Sequence, residues 1–159
     1  MTLASNGIIN IGSLFLWADG NEGMLPFEFI IDGTPVSHQT RNVQRLRAWQ
    51  QAVRIAAQQR WPANTAPIVV RLRFTVTYYH DGVAVRMDND NLVKPIQDAL
   101  NGLIYEDDRQ ITDTYVRKTD LNGSFRVRGM SPVLAEGFCR GNEFLYVRVE
   151  LAPNHEELI

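Results

Sequence analysis

The sequence predicts an α+β fold, a mixed and mainly antiparallel sheet packed with two principal helices. Short apolar segments with period-two alternation recur between Phe27 and Leu151, and two longer stretches carry apolar residues at three- and four-residue spacing. Gly, Pro and Asn-Gly turn signals separate them. Strands and helices in this order suit helices layered on one sheet. A chain of 159 residues holds one compact domain but hardly two. That domain is expected over residues 27–152, after a weakly ordered extension at 1–26 and before a frayed tail at 153–159.

Phe27 to Asp32 reads as a strand that ends at Gly33-Thr34-Pro35. Asn42 opens a helix in which Val43, Leu46, Trp49, Val53 and Ala56 or Ala57 form an apolar stripe, and Pro62 stops it after Trp61. Its arginines lie mostly off that stripe, as a solvated outer face would place them. Val70 to Tyr78 alternates as a half-buried strand, with Arg71 and Arg73 on its polar face. A second helix is expected from about Asn91 to Leu103, capped by Asp90 or Asn91, because Pro95 is best tolerated in a first turn. Ile111 to Leu121 reads as a strand, Asn122-Gly123 as a hairpin turn and Phe125 to Arg128 as the returning strand. A loop with Gly129, Pro132 and Gly137 leads to a last strand, Glu143 to Leu151.

Composition narrows the function classes. The chain is 45% hydrophobic and 21% charged, which fits a globular domain and not a disordered one. Ile8 to Ala18 is apolar, but no Lys or Arg precedes Arg41 to form a signal peptide, and Asn10, Gly12 and Ser13 break it short of a membrane span. The single cysteine, Cys139, permits no internal disulfide and is expected to be buried, and a cytoplasmic setting follows. His38, His80 and His155 are too dispersed for a zinc site or a catalytic triad. A net charge of −2 argues against a uniformly basic nucleic-acid binder, so a polyanion would meet local arginine surfaces.

The chemistry concentrates between Met87 and Gln110, where Asp88, Asp90, Asp98, Glu106, Asp107 and Asp108 surround Lys94. Carboxylates that converge must be relieved by protonation or by a divalent cation. In an extended segment Asp88 and Asp90 share a face and offer two oxygens to one cation. Asp90, Lys94 and Asp98 follow at helical spacing and line one helix edge, which an ordinary salt-bridged face would also do. Lys94 stands out because 14 of the 16 basic residues are arginine. Lysine is a compact donor that addresses one oxygen or one water.

The run D-N-D-N-L-V-K-P-I-Q-D-A-L-N-G-L-I-Y-E-D-D-R-Q-I resembles the signature of RusA-type Holliday junction resolvases, in which D-x-D-N-x-x-K leads into a helix and an acidic pair precedes a strand. The upstream F-E-F-I-I-D-G-T-P-V-S-H-Q is similar to that family's first strand and loop, and the likeness extends from about Phe27 to Leu151. The resemblance implies a Mg²⁺-dependent endonuclease that works as a homodimer and resolves four-way DNA junctions by paired phosphodiester hydrolysis in recombination and repair. It implies Asp88, Asp90, Lys94 and Asp108 as catalytic residues, with Asp88, Asp90 and Asp108 holding the metal and Asp107 as the substitute for Asp108. Arg71, Arg73, Arg126, Arg128 and Arg140 are the expected DNA contacts. The alternative is a prophage-derived DNA-binding module without catalytic activity.

Overall fold

A computed structural model describes residues 21–84 and 86–157. The apolar segment Ile8 to Ala18 and most of the expected extension lie outside them. Within that extension Asn21–Met24 form a turn of 3-10 helix, and Asn21 donates to the Ala66 carbonyl.

Four strands form one mixed sheet: β1 (Phe27–Asp32), β2 (Leu72–His80), β3 (Ile111–Asp120) and β4 (Phe144–Leu151), in the order β1-β4-β2-β3. β4 pairs antiparallel with β1, Phe29 opposite Val147, and with β2, Val76 opposite Val147. β2 and β3 are parallel, Val76 opposite Val116. Parallel neighbours need a long crossover, and α2 (Asn89–Leu100) supplies it. With α1 (Val43–Gln58) it covers one face of the sheet, burying Phe29, Val53, Leu72, Phe74, Leu92, Ile96 and Val147. Among the described residues no helix is long and apolar enough to cross a membrane.

In α1 the Asn42 side chain caps the helix by accepting from the Arg45 N–H at 2.9 Å. Trp49, Val53 and Ala57 form its buried stripe, but Val43 is exposed. The helix ends at Gln58, before the expected Trp61, which turns back through a bond to the Ala57 carbonyl and packs edge-on against Phe27. Arg54 belongs to the structure and not to a solvated face, since its guanidinium donates to the carbonyls of Ala99 and Asn101 at the end of α2.

α2 begins two residues before the expected Asn91, with Asp88 at the N-cap position, and so Pro95 lies in its second turn. A proline there leaves the carbonyl four residues earlier without its helical donor. That carbonyl belongs to Asn91, and the backbone N–H of His38 donates to it at 2.9 Å. A bond from another part of the chain thus accommodates a proline that would otherwise mark the helix start.

The expected hairpin after Asn122-Gly123 does not form. The turn closes on Asp120, and the chain then crosses the sheet face opposite α1 and α2, where the Phe125 ring lies 6.1 Å from Tyr79 and 5.9 Å from Phe138. Contact with these rings, which leaves Phe125 39% exposed, takes the place of pairing along the free edge of β3. The expected loop at 129–141 instead contains α3 (Pro132–Arg140). Ser131 caps it, Pro132 occupies its first turn, and Gly141 ends it at a φ of 69°. Gly137 sits inside α3 because a Cβ there would lie 2.4 Å from the Phe144 ring. Cys139 is exposed, contrary to expectation, because α3 turns Leu134 and Gly137 toward the sheet.

Candidate active site

The site is built where the loop before α2, the first turns of α2 and the entrance to β3 meet. Two bonds position the start of α2 from outside it. One is the His38 bond to Asn91, and the other runs from the Lys118 ammonium, on β3, to the Met87 carbonyl. The chain is extended at Asp88 and helical from Asn89, so Asp90 lies in the first helical turn. The alternation expected to align Asp88 with Asp90 therefore does not apply, because it belongs to extended backbone. What they share is the N-terminal end of a helix, where unsatisfied N–H groups favour negative charge. Asp88 makes no side-chain cap bond, and both carboxylates are exposed with no ion pair to another described residue.

Lys94 lies one turn beyond Asp90 but pairs forward with Asp98 at 2.8 Å and with Asp108. The expected edge of Asp90, Lys94 and Asp98 is thus joined by ion pairing only at its second half. Both acids hold the Lys94 ammonium above its ordinary pKa, Asp108 more strongly than Asp98. Asp108 is the more enclosed partner, its side chain 20% exposed against 43% for Lys94.

Asp107 and Asp108 are adjacent but serve different contacts. Asp107 caps the 3-10 turn Asp108–Gln110, accepting from the Arg109 backbone and from its guanidinium at 2.9 Å, and these bonds hold its carboxyl down at about 2. Asp108 is thereby the acid that meets Lys94. The Gln110 side chain fixes this turn to the segment before β2: its Oε1 accepts from the Asp107 N–H at 3.0 Å, and its Nε2 donates to the carbonyls of Ile68 and Val70 at 2.8 and 3.0 Å. The positioning roles of Gln110, Lys118 and His38 escaped the sequence reading. Only Gln110 carried a usable local signal, the D-x-x-Q spacing of a capping box. Glu106 is exposed, its backbone N–H bonded to Ile68.

Among the described residues no three His, Cys, Asp or Glu side chains gather as a group that could hold a metal ion. Two carboxylates without an ion pair, Asp88 and Asp90, remain two positions apart at the start of α2. An oxygen-only pair fits Mg²⁺, which retains waters and commonly takes one or two carboxylates together with substrate phosphate. It does not suit Zn²⁺, which prefers imidazole and thiolate.

The arginines proposed for DNA fall in separate places. Arg126 and Arg128 border a cleft of about 340 Å³ on the sheet face opposite α2, which Arg117 and Arg148 also line above Thr75 and Thr77. Arg73, on that face, pairs with Glu150 at 3.6 Å and lies 5.5 Å from the Tyr115 ring centre. Arg71 is exposed ahead of β2. Arg140 is engaged by Asp32 and Glu136 at 2.5 Å each, an ion-pair set that joins α3 to β1.

The family model for the endodeoxyribonuclease RusA matches residues 33–128, more than half of the chain, from the loop after β1 through the acidic site to Arg128. Comparison with curated proteins finds no match. The matched span holds Asp88, Asp90, Lys94 and Asp108 together with the His38 and Lys118 contacts that position them. The chain belongs to the RusA endodeoxyribonuclease family.

Proposed function

We propose that the protein is a Mg²⁺-dependent endonuclease that resolves four-way DNA junctions, working as a homodimer whose two sites nick paired strands during recombination and repair. The observation that carries this reading is the contact of Asp108 with Lys94 of α2, the helix whose N-cap and first turn present Asp88 and Asp90. Family membership supports cleavage of DNA. Junction selectivity, the metal and the dimer are the proposal's own additions.

Asp88 and Asp90 would hold the cation. Asp108, the third carboxylate that the resemblance implies, is engaged by Lys94 and does not gather with them among the described residues. One of its oxygens would have to reach the cation while the other keeps Lys94. The bound metal would supply Lewis acidity toward the scissile phosphate and lower the pKa of a bound water. Lys94 stays protonated through the physiological range because its pKa is raised above an already high value. It therefore acts as a hydrogen-bond donor and not as a base. As water attacks phosphorus in line and the bond to the departing oxygen breaks, a fixed ammonium offsets the charge that gathers on the phosphoryl oxygens. Asp98 and Asp108 hold that ammonium in place, and Gln110 holds Asp108's turn. Arg71, Arg73, Arg126, Arg128 and Arg140 would contact the DNA backbone, the first four less encumbered than Arg140, which already serves two acids.

The test compares a four-way junction with its matched duplex arms, in Mg²⁺ and in EDTA. Cleavage of the junction alone, lost in EDTA, is the expected result. Equal cutting of both substrates would remove the junction from the proposal, and tight junction binding without cutting would favour the DNA-binding module.

A further inference from the structure

Two arginines that the acidic motif does not include line hollows beside Asp88, Arg86 in the same cleft and Arg45 in the one adjoining it. A cleft of about 470 Å³ is lined by Ser37, Gln39, Arg86, Met87, Asp88 and Asn91. A second hollow of about 230 Å³ shares Ser37, Gln39, Arg86 and Met87 with it and adds Arg45 from the first turn of α1. The two adjoin through these four residues, the smaller reaching toward α1 and the larger toward the start of α2, and together make one trough-shaped surface. We propose that this trough seats the DNA phosphate next to the one being cut, gripped by Arg45 and Arg86.

Charge is the first support. Arg60, Arg73, Arg109, Arg140 and Arg148 are all ion-paired. Among the described residues Arg45 and Arg86 make no ion pair, as is also true of Arg41, Arg47, Arg71, Arg117, Arg126 and Arg128; what sets these two apart is that they are exposed and line one hollow beside the Asp88 cleft. Two unneutralised guanidiniums converging on one depression repel each other and favour a bound anion. Arginine's planar fork matches phosphate oxygens in pairs.

Geometry is the second. The trough's loop wall is fixed by Ser37 accepting from the Gln39 N–H at 3.2 Å, by Thr40 accepting from the Asn42 N–H at 3.3 Å, and by the His38 bond to Asn91. The Ser37 hydroxyl keeps its own proton to donate. Successive phosphates of a strand advance by roughly 3.4 Å along a duplex axis. A strand that presents one phosphate to Asp88 and Asp90 thus carries its neighbour along the depression that begins at Asp88.

The inference rests on the nuclease reading above, and its test separates the two. Arg45→Gln and Arg86→Gln, singly and together, are compared with wild type on a four-way junction. The double variant should raise KM by about tenfold with kcat little changed, as loss of uniform binding does. Its binding should lose roughly 0.7 to 0.9 of salt slope per arginine. A junction carrying one neutral methylphosphonate link beside the cut should be cleaved more slowly by wild type, and that penalty should vanish in the double variant. A penalty of equal size in both proteins would overturn the proposal. Should wild type cut no DNA, the nuclease reading falls, and the binding titration still decides: an unchanged salt slope in the double variant rejects the trough.

Discussion

Lys94 donates to Asp108, a residue 14 positions later, and so ties the middle of α2 to the entrance of β3. The pair is partly exposed, so its contribution to stability is about 0–1 kcal/mol. Its value lies in holding one ammonium at one point. Lys94→Met should fold with nearly wild-type stability yet cut junctions about a hundredfold more slowly. Lys94→Arg should also lose most activity, because a longer planar head cannot donate from the same point. Near-normal turnover by Lys94→Arg would show that charge alone suffices.

Mg²⁺ should raise the melting temperature of wild type, by about 2.7 kcal/mol of stability at a hundredfold excess over Kd. In Asp90→Asn that shift should shrink or disappear. Without metal the variant should change little. Removing a carboxylate relieves repulsion from Asp88 but forfeits a favourable interaction with the α2 N-terminus. A melting curve of wild type that millimolar Mg²⁺ leaves unmoved would deprive the metal site of its support.

Alkaline stability should fall as several raised groups ionise, buried Tyr79 and Tyr105 among them, and two of the contributions can be tested apart. Burial and the neighbouring Glu28 push the Tyr146 phenol up to about 12, and Asp108 and Asp98 raise Lys94. Each group's folded pKa exceeds its unfolded value, so the stabilisation is complete below about pH 10 and is lost as pH rises through the folded values. Tyr146→Phe, which removes the phenolic proton, should flatten the decline between about pH 10 and 12 in denaturant titrations. An unchanged slope would place the alkaline transition elsewhere.

How far the sequence disclosed this molecule depended on whether a signal was local. The four strand cores and the α1 stripe of Trp49, Val53 and Ala57 were legible because periodicity is written into adjacent residues. The start of α2 was misjudged because the donor that makes Pro95 tolerable is the backbone of His38, far upstream. α3 forms where the sequence suggests a loop, although Ser131, Pro132 and Gly141 mark its ends. Gly137 has the look of a helix breaker in sequence, and only the fold reveals that the Phe144 ring occupies the space of its side chain. The parallel pairing of β3 follows from the α2 crossover, and the failure of the Asn122-Gly123 hairpin goes with long-range contacts of Phe125 to Tyr79 and Phe138. At the site, residue types and spacing singled out Asp88, Asp90 and Lys94. The division of labour between Asp107 and Asp108 is a matter of tertiary structure, because Arg109 draws one acid away and leaves the other to Lys94.

A two-fold homodimer is expected, since paired nicks need two sites presented together. Light scattering at working concentration should find twice the monomer mass. A monomer both on and off a junction would contradict it. In the same preparation, Arg126→Gln with Arg128→Gln should weaken junction binding and reduce its salt slope by roughly 0.9 for each phosphate no longer neutralised. An unaltered slope would take DNA away from that face.

The acids at the start of α2 are held to perform the cleavage, and junction nicking by Asp90→Asn measures this most directly. Asp90 is exposed and bonded to no described side chain, so the substitution should leave the fold and junction binding intact. With Mg²⁺ present, the predicted result is full binding with no detectable nick on either strand. Undiminished nicking by the bound variant would contradict the account.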